Sequence, residues 1–143
     1  MTNASVIAAP IDLDLSSCTA ESIGQFQAIA LGSIEYYNFM ALIAVVLDTH
    51  TEALRESKLT KRVKHGGNDG VFIDLIPSRF QSGINSMPQH VRNEIAGKWH
   101  ASCTFEKFDY LNKDQLSTKL DSIISFVCQV DTDNYQLYYV QSF

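Results

Sequence analysis

An α+β fold is what this sequence predicts, with N-terminal helices packed on one face of a mostly antiparallel sheet that ends in a C-terminal hairpin. Three observations predict it. A helical stripe (Ile23, Phe26, Ala30, Ile34, Tyr37, Ala41, Ala44, Leu47) recurs at three- and four-residue steps. Two late segments, residues 123–130 and 135–140, are rich in β-branched and aromatic residues and flank the polar loop Asp131-Thr132-Asp133-Asn134. The chain has 143 residues, 45% of them hydrophobic and 19% charged, which suits a globular core rather than a disordered chain, so residues 1–143 read as one domain.

The elements follow in order. Ile11, Leu13 and Leu15 alternate with Asp12, Asp14 and Ser16, the period of a half-buried strand. Thr19, with Glu21 close behind, opens a helix, and the stripe over residues 23–47 continues it, with a break expected near Gly32 and Ser33. Residues 48–51 form a bend and residues 51–64 a second helix, which Gly66, Gly67 and Gly70 end in a turn. Val71 to Ile76 is a short strand stopped by Pro77, and residues 78–85 read as loop. Ser86 caps a helix with Pro88 in its first turn, running through Val91, Ile95 and Trp99. Ala101, Cys103 and Phe105 alternate as a strand, and residues 112–121 give a short helix with Leu116 and Leu120 on one face. Residues 123–130 form the first arm of the terminal hairpin, a continued helix through Phe126 being the rival reading.

Composition narrows the function classes. The longest apolar run, residues 39–47, is less than half the length a membrane-spanning helix needs (about 20 residues), so no membrane association is predicted. The first residues carry no positive charge and two early aspartates, unlike a secretory signal. Three scattered cysteines (Cys18, Cys103, Cys128) suit reduced thiols in a soluble, acidic, cytoplasmic protein. The formal net charge of −5 disfavours nucleic acid as a partner.

Against that acidic background one block stands out. Arg55, Lys58, Lys61, Arg62 and Lys64 fall within ten positions, opposed only by Glu56. On a helix, Lys58, Lys61, Arg62 and His65 share one face, a candidate surface for a partner's carboxylates or another anion. Cations in a last helical turn also complement the helix dipole without any ligand. The order helix, glycine, strand is the reverse of a phosphate loop, and neither GxxxxGK[ST] nor GxGxxG occurs, so no nucleotide cofactor is predicted.

The stretch RESKLTKRVKHGGNDGVFIDLIP (residues 55–77) resembles a segment of kinesin motors, in which an R-[DE]-SKLT helix precedes a GGN turn and a strand ending at proline. FVCQVDTDNYQLYYV (residues 126–140) is similar to the closing hairpin of nuclear-transport-factor-like cone folds. The first implies helix, turn and strand, the second a terminal hairpin. Neither likeness extends through the middle of the chain, and neither family is assigned on it.

His100 and Cys103 are three apart, and on a strand such positions point to opposite faces, so no catalytic residue is predicted. The cysteines and the four histidines lack the paired spacing of a zinc site. A calcium loop beginning at Asp131 needs glycine and glutamate where Gln136 and Ser142 stand, so the loop reads as a turn and no metal is predicted. Asp12-x-Asp14 is explained by strand alternation.

Two expectations follow. The first is a non-enzymatic protein that binds another protein (inhibitor, immunity or accessory type) by occupying its surface. Arg55, Lys58, Lys61, Arg62 and His65 would serve it, with Tyr138 and Tyr139, one of which an exposed strand would turn outward. The alternative is a small-molecule or anion pocket, with or without catalysis, lined by the aromatic strand around Tyr135 and Tyr139 and by Lys61, Arg62 or His65. A homodimer is expected if the tyrosine-rich terminal strand pairs with its own copy.

Overall fold

The first strand, β1 (Asn3–Pro10), is buried on both faces: Ala4, Val6 and Ala8 point one way, Ile7 and Ala9 the other, all at most 5% exposed. Such a strand reads as a continuous apolar run without alternation, which is why the alternating residues after it drew the prediction instead. In the computed structural model, which describes residues 3–32, 34–48, 61–66, 70–102 and 112–142, the chain turns after Pro10. Ile11 and Leu13 are exposed there, and only Leu15 is buried. The expected strand over residues 11–15 is thus displaced to Asn3–Pro10.

Thr19 does cap a helix, α1 (Ala20–Ile23). It accepts from the Ser22 amide while the Ser22 hydroxyl accepts from the Thr19 amide. One turn later the chain becomes β2 (Gln27–Gly32), antiparallel to β1. Only then does α2 (Tyr36–Val46) begin. The long stripe is therefore divided among α1, β2 and α2, and the strand ends at Gly32, whose φ of +62° lies in the left-handed region that glycine favours. Ala30 fits a four-residue period with Phe26 and Ile34, but hydrogen bonding to β1 places it in a strand.

Lys61 to Lys64, expected at the end of a helix, lie in β3 (Lys61–Gly66), antiparallel to β4 (Val71–Leu75). Residues 51–60, the rest of the expected helix, are outside the described residues. Val71 to Leu75 is the predicted strand, ending ahead of Pro77. The expected loop over residues 78–85 is a helix, α3 (Ser78–Asn85), which buries Phe80 and Ile84 from one face and lets α2 approach closely at Gly83. The helix containing Val91, Ile95 and Trp99 forms as α4 (Gln89–Ser102). It includes Ala101, which was expected in a strand; Cys103 and Phe105 are outside the described residues. Asn112 caps α5 (Lys113–Gln129) through a reciprocal bond with Gln115, and the helix runs on through the expected first hairpin arm. The rival helical reading of residues 123–130 is the one realised. Ile123, Ile124 and Val127 are buried at helical spacing, and this core contact outweighs their β propensity.

The last strand, β5 (Tyr135–Ser142), does not close a hairpin. It lies between β1 and β4 and pairs antiparallel with both, giving the sheet order β2-β1-β5-β4-β3. An α+β domain with an antiparallel sheet is what forms. Three of its five described helices lie between β4 and β5. Val6, Leu31, Leu137 and Tyr139 share one buried cluster with Phe39, Phe80, Trp99 and Leu120 from the helices. Ile7, Val71, Ile73, Tyr138 and Val140 form a second cluster with Leu15 and Ile23 from the β1–β2 connection. Both faces of the central strands are thereby covered.

Candidate binding surfaces

The described part of the basic block, Lys61 to Lys64, lies in an edge strand, and a β-bulge splits it. Arg62 stands opposite Asp74, whereas Lys64 stands opposite Ile73, with the register shifting between them. One residue of slip sends the two cations to opposite sides of the sheet. Arg62 turns toward Asp74, and its Nε donates to Asp74 Oδ1 at 2.7 Å. Its guanidinium lies 5.3 Å from the centre of the Tyr36 ring and 5.2 Å from that of Phe72. Burial works against the Arg62 charge, but the hydrogen bond and charge of Asp74, helped by Tyr36, outweigh it and raise its pKa above the ordinary arginine value. Lys64 reaches the other way and its Nζ donates to the Cys18 carbonyl. Both cations hold the fold together.

Of the other expected binding residues, Lys61 is exposed opposite Leu75 and His65 pairs with Phe72 through the backbone. The helical face joining Lys58, Lys61, Arg62 and His65 does not exist in that form, since the last three lie on a strand; Arg55 and Lys58 are outside the described residues. Tyr138 and Tyr139 do point to opposite faces, but neither faces outward: they are 5% and 2% exposed. The Tyr139 hydroxyl donates to the Ile34 carbonyl at 2.9 Å, and its ring stacks on Phe39 at 5.2 Å. Burial and then the nearby Glu35 and Asp74 carboxylates push its pKa far above that of a free tyrosine. Burial also raises that of Tyr138. Because β5 is flanked by β1 and β4, it is not the edge strand that the expected pairing with a second copy would use. The partners of Arg62 went unrecognised in the sequence, though an aspartate inside the apolar run Val71–Ile76 was a signal for a buried charge.

The opposite edge, β2, has a different character. It carries no charged residue and no proline, and Ala28 and Ala30 are exposed. Its polar cover among the described residues is Lys119 of α5, whose Nζ donates to the Ala30 carbonyl at 3.2 Å. Natural edge strands are usually blunted by charge; β3 carries three cations of its own over Lys61–Lys64, whereas β2 carries none and is met by Lys119 at one carbonyl.

A cleft of about 500 Å³ opens between α3 and the start of β5. Its walls include Ser78, Arg79, Gln81 and Asn85 on one side and Ile11 and Tyr135 on the other. His100, the histidine of the His100/Cys103 pair, is exposed on α4. Comparison with protein-family models, curated proteins and solved structures gives no match.

Proposed function

We propose that the protein is a binding module that takes a segment of another protein as an added strand along β2. The observation that supports this is the uncharged, proline-free edge from Gln27 to Gly32, paired on one side only among the described residues. An edge strand presents every second N–H and C=O outward, and an incoming strand satisfies them at about 0.5–1.5 kcal/mol per hydrogen bond. Exposed Ala28 and Ala30 put little bulk in its way. The contrast with β3 is informative: Lys61, Arg62 and Lys64 guard that edge, so the two ends of one sheet are treated differently. Occupying a partner surface in this way is how an inhibitor, immunity or accessory protein acts.

The test is capture from the native host with tagged wild type and with Ala28→Lys/Ala30→Lys, which places two charges on the edge. Loss of a specific captured protein in the variant, with the melting temperature unchanged, supports strand addition. Equal capture by the variant refutes it. Charge reversal at Lys61 in parallel shows whether the basic edge β3 is used instead.

A further inference from the structure

The cleft beside α3 has a chemistry of its own. Ser78, Gln81, Ser82 and Asn85 fall at i, i+3, i+4 and i+7, so one face of α3 turns a row of uncharged polar groups toward it, while Phe80 and Ile84 enter the core. The helix begins without help: its N-cap is Pro77, which makes no side-chain cap, and no acidic residue stands in the first turn. The Phe80 amide bonds back to the Pro77 carbonyl at 3.0 Å. The Ser78 and Arg79 amides, ahead of it, are donors that no helical bond can satisfy. They carry the positive end of the helix dipole.

A second observation points independently to a ligand. Gln81 is 7% exposed and lies in the wall of the cleft, yet its Nε2 has no hydrogen-bond partner among the described residues. A buried amide nitrogen left so is destabilising, and a bound acceptor would relieve that cost. Rotation about the soft terminal torsion of glutamine is the motion that would present this donor to a ligand in the cleft.

Charge completes the pattern. The chain has 16 acidic residues against 11 Lys and Arg, but among the described residues no acidic one lines this cleft, and Arg79 is the charged group that does. Arg79 makes no ion pair among the described residues. Facing these donors are Ile11 and Tyr135, two of the large apolar residues that the molecule leaves exposed, each at 41%. The cleft volume falls within the range of about 300–1,000 Å³ typical of small-molecule sites.

We propose that this cleft binds a small carboxylate with an apolar or aromatic body. Arg79, the first amides of α3 and the Gln81 carboxamide receive the carboxylate, and Ile11 and Tyr135 cover the body. The site is separate from the β2 edge and does not depend on the strand-addition reading.

The experiment is calorimetric titration and amide-shift mapping with 3-phenylpropanoate, its neutral amide and inorganic phosphate. Wild type, Arg79→Gln and Gln81→Leu are compared. Phenylpropanoate should bind and shift the amides of Ser78, Arg79 and Tyr135. The neutral amide should bind at least tenfold more weakly, and Arg79→Gln should weaken phenylpropanoate at least tenfold. Gln81→Leu should weaken binding while leaving the unliganded melting temperature equal or higher, which a purely structural role would not do. Arg79 is exposed, so its variant tests the site even if Gln81→Leu fails to fold. No binding by phenylpropanoate, equal binding by its amide, or unchanged binding to Arg79→Gln overturns the proposal. Phosphate binding as tightly as phenylpropanoate overturns the role given to Ile11 and Tyr135.

Discussion

Replacing Tyr139 with phenylalanine removes one oxygen atom from the middle of the sheet, and the structure gives the consequence at two pH values. The Tyr139 hydroxyl donates to the Ile34 carbonyl at 2.9 Å and lies 3.2 Å from Gln141 Oε1, in surroundings where Tyr139 is 2% and Ile34 1% exposed. At neutral pH the variant keeps the ring and its stacking on Phe39 but leaves a buried carbonyl without this donor, a loss of about 1–2 kcal/mol. Alkaline pH reverses part of that loss. The folded pKa of Tyr139 is raised, chiefly by burial, so its stabilising effect is full below the unfolded value of about 10 and declines as pH rises beyond it. There the unfolded chain has released the proton that the folded chain retains, so stability falls by about 1.4 kcal/mol per pH unit. At pH 11 the wild type has lost about 1.4 kcal/mol through this residue, and Tyr139→Phe has lost none of it. Urea unfolding at pH 8 and pH 11 with reduced cysteines measures both numbers. The gap between the two proteins should be about 1–2 kcal/mol at pH 8 and close to zero at pH 11. A gap that stays constant would mean that the hydroxyl ionises as readily in the folded protein as in the unfolded chain, and the buried geometry would be refuted.

Further outcomes are open to measurement. Arg62→Met removes the cation facing Asp74 and should lower stability by about 2–3 kcal/mol, less than a fully buried pair because the Arg62 side chain is 35% exposed. Adding Asp74→Leu should restore most of that loss; denaturant melts of the two single variants and the double variant show whether the effects couple or simply add. Gly83→Ala should destabilise by about 1–2 kcal/mol, since a Cβ there would sit 2.8 Å from Val46 Cγ1 and the overpacking exceeds the gain in helix propensity; a more stable variant by thermal melting contradicts the close packing of α2 and α3. Asn112→Ala should lose about 1 kcal/mol by removing the cap of α5, with Asn112→Ser recovering most of it in the same melts.

Local chemistry was legible where it depended on neighbours in sequence. Thr19 capped a helix, Pro77 stopped a strand, Gly66 and Gly70 bent the chain at φ of +62° and +66°, and Val91, Ile95 and Trp99 marked a helix. Asp131 also behaved as a turn residue, its side chain accepting from the Asp133 amide. The misreadings share one cause. Ile123 to Val127 and Ala28 to Leu31 carry apolar residues that fit either period, and the partner across the core made the choice. The candidate sites were less legible still. The Arg62–Asp74 pair joins residues 12 apart through a bulge, and the cleft brings Ile11 and Tyr135 to Arg79 from three distant stretches.

By itself the sequence determined an α+β class, the turns, the caps and an acidic chain with one basic block. Tertiary structure decided what the described part of that block is: Lys61 to Lys64 lie in an edge strand whose bulge sends Arg62 to Asp74 and Lys64 to the Cys18 carbonyl. The physical reason is that a bulge and a strand order depend on hydrogen bonds between segments far apart in the chain, and no spacing within ten residues encodes them. The same dependence buried Tyr138 and Tyr139, because β5 entered the centre of the sheet rather than its edge.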